Sequence, residues 1–214
     1  MEAVFERQLG IPVRLCVARK TIEMAALSLK ERAQYDQLAT PSRRNDWLLG
    51  RSALKALLAR LGRCSDTASV TFPNPCYSLT HCDGFAAAVG VPPRTLEGIG
   101  VDLETSRTPH PRAAGLFLTP HERAWLERLG SAVRGRELRR LWTVKEAVFK
   151  SDPANRGRSL MSYELVVPGA KFGVAAAGPS SSGRLVRYGS LEFGRGFLSI
   201  AAMPPEKVSR WWKN

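Results

Sequence analysis

The longest unbroken apolar run in this chain, Phe85 to Val91, is seven residues long and is stopped by Pro92 and Pro93. A run of that length fits one buried strand and falls far short of the roughly 20 residues that cross a bilayer. It follows a strand-like segment, Tyr77 to Thr80, and a polar turn, His81-Cys-Asp-Gly84. The core must therefore come from short strands turned back on one another and from separate helices. At 214 residues and 44% hydrophobic content, one large domain or two small ones sharing an interface are both affordable.

The clearest helix is predicted from Ser42 to Leu61. Trp47, Leu54, Leu58 and Leu61 recur at helical spacing, Ser42 serves as N-cap and Gly62 as the stop. Thr119-Pro-His-Glu122 opens a second helix with a cap, a proline at the first helical position and a glutamate at the third, and Gly130 closes it. A third runs from about Arg136 to Lys150, and Glu23 to Leu38 is weakly helical. Strands are expected at Val13–Ala18, then as a meander over Tyr77–Thr80, Phe85–Val91 and Gly98–Glu104. Three or four more follow between Tyr163 and Met203, where Gly194-Arg-Gly makes a turn and Pro179-Ser-Ser-Ser-Gly a loop. Each half reads as helix followed by strands. The expectation is an α+β protein of two similar halves, residues 1–97 and 98–214, with antiparallel strands packed on helices.

Lys and Arg number 32 against 19 Asp and Glu, a formal net charge of +13. Such a surface draws polyanions: nucleic acid, an anionic membrane, a multiply phosphorylated cofactor or an acidic protein. The first ten residues, MEAVFERQLG, carry charges where a secretory signal needs apolar ones, so a soluble, cytoplasmic protein is expected. Cys16, Cys64, Cys76 and Cys82 show no C-x-x-C pair. They are read as free thiols, and Cys76, His81 and Cys82 lack the paired spacing of a structural zinc site.

Chemistry concentrates in two segments. In Gly98-Ile-Gly-Val-Asp-Leu-Glu104, side chains alternate along a strand, so Asp102 and Glu104 share one face and Val101 and Leu103 the other. Two carboxylates at this spacing suit Mg²⁺, which completes its shell with water and phosphate oxygens. They equally suit the solvated edge of a half-buried strand. In Trp142-Thr-Val-Lys-Glu-Ala-Val-Phe-Lys150, Trp142, Glu146 and Lys150 fall on one helix face. A carboxylate and an ammonium there either address one ligand or form an ordinary surface pair.

Together these segments resemble the two signature motifs of the 4'-phosphopantetheinyl transferase superfamily. Weaker likenesses accompany them in order: Arg43-Arg-Asn-Asp-Trp-Leu-Leu-Gly-Arg51, Ser78-Leu-Thr-His-Cys-Asp-Gly84 and Phe117-Leu-Thr-Pro-His-Glu122. The length resembles the monomeric surfactin-synthetase-activating type, whose fold pairs two α/β halves about a pseudo-twofold axis. The resemblance implies a Mg²⁺-dependent enzyme that moves the phosphopantetheine arm of coenzyme A onto a serine of an acyl, peptidyl or aryl carrier protein. That carrier would serve fatty acid, polyketide or nonribosomal peptide synthesis, and 3',5'-ADP would be released. It places coenzyme A on the first half and the metal and carrier on the second. Asp102, Glu104 and Glu146 would hold Mg²⁺, and Lys150 and Lys145 would contact the phosphates. Glu122 would be the base that deprotonates the serine, or the partner in a capping box, or both. His81, assisted by Thr80, would meet the 3'-phosphate, and Arg44 and Arg51 suit phosphate through the guanidinium fork.

Cys82 stands where the family usually has serine, and the loop after Lys150, Ser-Asp-Pro-Ala-Asn-Arg-Gly-Arg-Ser-Leu, is longer and more basic than the family's. The segment Thr105 to Leu118, with Arg107, Arg112, Leu116, Phe117 and Leu118, suits an acidic, hydrophobic-faced carrier helix. Two readings compete with the enzyme. One is a nucleic-acid-binding module built on the positive charge with Trp211 and Trp212. The other is a catalytically silent carrier-binding homologue. Retention of the three carboxylates and Lys150 favours the enzyme, with neither nucleic acid nor membrane as partner.

Overall fold

The computed structural model describes residues 1–106, 108–178 and 184–205. Arg107, the loop over residues 179–183, and Trp211 and Trp212 lie outside the described residues. The chain is α+β. Helix α1 (Glu2–Leu9) leads into strand β1 (Arg14–Ala18), then α2 (Leu29–Asp36) and α3 (Pro41–Arg60). Strands β2 (Tyr77–Cys82), β3 (Phe85–Gly90) and β4 (Gly98–Glu104) follow, then α4 (Ala114–Phe117), α5 (Pro120–Glu127) and α6 (Ser131–Ser151). The chain continues through β5 (Tyr163–Leu165), β6 (Phe172–Ala177), β7 (Arg184–Phe193) and β8 (Gly196–Met203).

The expected helices are present with shifted ends. Thr40, not Ser42, caps α3: its hydroxyl accepts from the Arg43 amide, and Pro41 takes the first helical position. The Thr119–Glu122 capping box of α5 is complete. Gly130, expected to close that helix, instead precedes α6 as its N-cap.

Strands β2 and β3 form a hairpin with Cys82 opposite Phe85. Asp83 and Gly84 both have positive φ, 46° and 75°, as an Asp-Gly hairpin turn requires. The expected meander breaks at the next strand. Both edges of β3 are taken, because the first sheet runs β1-β3-β2, so β4 pairs antiparallel with β8 in a second sheet ordered β4-β8-β7-β6-β5.

Three buried clusters hold these layers. Leu49, Leu54 and Leu57 of α3 pack on Ala86 and Ala88 of β3. Leu141, Val144 and Val148 of α6 pack on Tyr163, Val186 and Tyr188 beneath. The third cluster takes Phe5, Leu9 and Val13, Val89 of β3, and Ile99, Val101, Leu103, Leu198 and Ile200. It therefore draws on both sides of the expected boundary at 97 and 98.

Glu31 shows how the weakly helical second segment is fixed. Fully buried, it closes a capping box on Ser28 and accepts from the Thr67 amide at 2.9 Å, the Thr67 hydroxyl at 2.6 Å and Lys55 Nζ at 2.8 Å. Burial alone would raise its pKa. The bonds from Lys55, Thr67 and Ser28 outweigh that and hold it at about 2, against an ordinary 4.5. A depressed carboxylate stabilises the fold above the unfolded value, and that stabilisation disappears as pH falls through the folded one. We expect Glu31→Gln to cost on the order of 3 kcal/mol at neutral pH. In urea titrations from pH 7 to 2 the difference from wild type should close between about 4.5 and about 2. A constant difference across that range would contradict it.

Among the described residues no helix is long and apolar enough to cross a membrane.

Candidate active site

The site is assembled where α6 crosses β4. Gly98, Gly100, Asp102 and Glu104 form one period-two row on the strand. A Cβ on Gly98 would run into the Ser151 carbonyl oxygen, and one on Gly100 into that of Ala147, both of the α6 backbone. The two glycines thus let the helix lie directly on the strand. Glu146 and Lys150, one position before Ala147 and Ser151, are thereby brought to the carboxylates farther along the same row.

Asp102 is 5% exposed. Its Oδ1 accepts from Thr80 Oγ1 at 3.1 Å and from Lys150 Nζ at 2.6 Å, while its Oδ2 is buried and has no hydrogen-bond partner among the described residues. Glu104 Oε2 accepts from the Cys82 thiol at 3.2 Å. Burial, with Glu104 close by, pushes that thiol up to about 12 and keeps it a protonated donor. Burial also raises the pKa of Glu104, with Asp102 and Asp83 adding to the rise against hydrogen bonds from Cys82 and Trp142. Glu146 is raised by burial and by both Asp102 and Glu104, with Lys150 opposing. The three expected metal ligands are therefore neighbours that repel one another, with one ammonium among them.

Strand β2 supplies the second wall through side chains alone. Ser78 Oγ accepts from the Val101 amide at 3.0 Å, and Thr80 and Cys82 reach Asp102 and Glu104. Alternate residues of one strand thus hold the β4 row of the other sheet. Thr80, expected to assist at a phosphate, here gives its single hydroxyl proton to Asp102.

His81 is exposed at the corner of three adjoining cavities. One, of about 380 Å³, is lined by Phe72, Pro73, Lys150 and Asn155. A second, of about 520 Å³, is lined by Arg43, Trp47, Arg51 and Phe72. The third, of about 350 Å³, takes Asp46, Cys82, Asp83 and Glu104. His81 and Lys150 are thus both on open space beside the carboxylates.

The expected arginine pair divides. Arg51 lines the second cavity, its guanidinium 4.6 Å from the Trp47 ring. Arg44 is turned away, donating to the Leu38 carbonyl at 2.9 Å and stacked on Tyr35. Arg43 takes its place on the cavity. Arg44 lies within about 20° of Arg51 around the helix, so it is the bond to Leu38 and the stacking on Tyr35, not the helical period, that take it off the cavity.

Glu122 and Lys145 do not join the site. Both are fully buried and meet each other at 2.9 Å. Glu122 also accepts from the Thr119 and Leu165 amides at 2.8 Å, and Lys145 also donates to the Tyr163 carbonyl. Of their expected roles, the capping box stands. Contact of Lys145 with phosphate, and of Glu122 with a substrate serine, stays a proposal; here the two side chains are buried against each other. On the expected partner segment Leu116 is 76% exposed, whereas Phe117 and Leu118 are buried in the core.

Residues 98–168 match the 4'-phosphopantetheinyl transferase superfamily. This stretch holds β4, α6 and all three carboxylates. The chain is also similar to the 4'-phosphopantetheinyl transferase Npt of Nocardia iowensis, 31% identical over 116 residues that make up 51% of each protein. The matched part thus spans about half the length of that relative.

The site can be judged for a divalent cation on its own donors. Among the described residues no group of three or more His, Cys, Asp or Glu side chains forms a ready-made metal cage. The donor set nevertheless fits a hard cation: three carboxylates against one ammonium, and a buried Asp102 oxygen left without any donor.

Proposed function

We propose that this chain is a member of the superfamily it resembles, of the two-half type, and that it transfers 4'-phosphopantetheine from coenzyme A to a serine of a carrier protein. The observation that carries this reading is the partnerless Asp102 Oδ2 with Glu104 and Glu146 beside it, at the edge of a cleft whose other walls carry Arg43, Arg51, His81 and Lys150. Asp102, Glu104 and Glu146 would hold Mg²⁺, which when bound neutralises charge on the phosphoryl group in transfer. Lys150, on the cleft wall with one proton given to Asp102, has two more to offer the departing phosphate. Arg43, Arg51 and His81 hold the remaining phosphate of coenzyme A. With Glu122 buried in its pairing with Lys145, the serine proton goes to Glu146, the carboxylate one helical turn from Lys150. The excess positive charge of the chain favours an acidic carrier.

Intact-protein mass spectrometry of apo carrier proteins incubated with this chain, coenzyme A and Mg²⁺ tests the reading. One phosphopantetheine arm should appear on the carrier, and Glu146→Gln should slow its appearance on the order of 100-fold or more. Coenzyme A bound without transfer to any carrier would favour the silent homologue. No binding of coenzyme A would remove the reading.

A further inference from the structure

We propose that Thr80 is a positioning residue for the cation site: with Lys150 it engages Asp102 Oδ1 and so leaves Oδ2 aimed and donor-free for the metal. The inference rests on the reading that Asp102, Glu104 and Glu146 hold a divalent cation. It goes beyond that reading in assigning the task of presetting the site to the first half of the chain.

A carboxylate this deeply buried ordinarily has both oxygens hydrogen-bonded. Here the two donors within reach, the Thr80 hydroxyl at 3.1 Å and the Lys150 ammonium at 2.6 Å, converge on the same oxygen, and the other has none. That asymmetry holds the carboxylate in one rotation, with one oxygen engaged and the other left without a donor.

Thr80 is well placed for the task. It is 6% exposed in the middle of β2, and its β-branch leaves little freedom about χ1. No backbone ladder joins β2 to β4, so the bonds from Ser78, Thr80 and Cys82 set how the two strands lie, and the Thr80 bond is the central one. The charges agree as well: three carboxylates, one ammonium and a divalent cation sum to zero. Groups that orient a metal ligand without touching the metal typically change affinity by about 10–100-fold when removed.

The test is Mn²⁺ binding to the full chain without coenzyme A, followed by the electron paramagnetic resonance signal of the free ion. Wild type, Thr80→Val, Thr80→Ser and Glu146→Gln are compared, with thermal midpoints in chelator as a check on folding. Thr80→Val keeps the shape and loses the donor, and should weaken Mn²⁺ binding by about 10-fold or more. Thr80→Ser restores the donor and should return the affinity to near wild type, a recovery that a purely packing role would not produce. If Thr80→Val does not fold, Thr80→Ala is compared with Thr80→Ser in the same way. Unchanged affinity in the hydroxyl-free variant, with binding lost in Glu146→Gln, overturns the proposal while the cation site stands. Equal binding by wild type and Glu146→Gln removes the cation site and the proposal with it.

Discussion

Lys145→Met is expected to destabilise the protein by about 3–5 kcal/mol, as removal of one partner from a buried ion pair does. Glu122 would be left charged and fully buried, with only backbone amides from Thr119 and Leu165 to bond it. Adding Glu122→Leu to Lys145→Met should recover a large part of the loss, because the stranded charge is removed with its partner. Urea unfolding of the two single variants and the double variant measures this coupling. The folded Lys145→Met protein should keep its affinity for coenzyme A, since the ammonium bonds only Glu122 and the Tyr163 carbonyl. A variant of wild-type stability with weakened coenzyme A binding would return Lys145 to the phosphate role that its place in the signature implies.

Gly100→Ala has the second large effect. The added methyl would sit on the Ala147 carbonyl oxygen with the Ser151 amide close behind, and backbone on a packed helix cannot yield as a flexible side chain does. Overpacking of this kind costs about 1–3 kcal/mol where neighbours can shift, and about 3 kcal/mol or more is expected here. Relief would come from lifting α6 off β4, which also carries Glu146 and Lys150 away from Asp102. The variant should therefore lose divalent-cation affinity along with stability. Gly135→Ala is the control: beyond its own helical backbone no described atom lies within 4 Å of a Cβ there, and removing a glycine from a helix should stabilise by about 0.5–1 kcal/mol. Thermal unfolding and Mn²⁺ titration of both variants check the pair, and a Gly100→Ala protein as stable as wild type would mean that α6 does not lie on β4 as described.

Local rules reached as far as single elements. The capping box at Thr119, the proline that starts α5, the Asp-Gly turn and the facing of Asp102 with Glu104 each depend on residues a few positions apart, and each was legible. Pairing across the fold was not. Nothing near β4 in sequence says that its partner is β8, about a hundred residues later; β3 having both edges occupied only keeps β4 out of the meander.

Two of the expected site residues stand one position from a residue that does reach the cleft or its carboxylates. Consecutive residues on a helix are about 100° apart, so Lys145 cannot share the face of Glu146, nor Arg44 that of Arg43. For Lys145 the helical period decides the matter; Arg44 lies within about 20° of Arg51 around the helix, and its bond to the Leu38 carbonyl and stacking on Tyr35 take it elsewhere. The bond from Thr80 to Asp102 had no local signal at all, since it spans 22 residues and two sheets.

The cluster that joins Phe5, Leu9 and Val13 to Ile99, Val101, Leu103, Leu198 and Ile200 bears on how the molecule comes apart. Cutting at the seam between residues 97 and 98 would present those five second-half side chains to water, at about 1.5–3 kcal/mol apiece. That is comparable with the whole stability a lone half of this size would have, about 0.05–0.15 kcal/mol per residue. Unfolding is then a single cooperative event, and the free energy of a ligand gripped by β4 and α6 is distributed over the whole chain. Filling the carboxylate cluster would slow amide exchange in β1 and α3 as well as in β4 and α6.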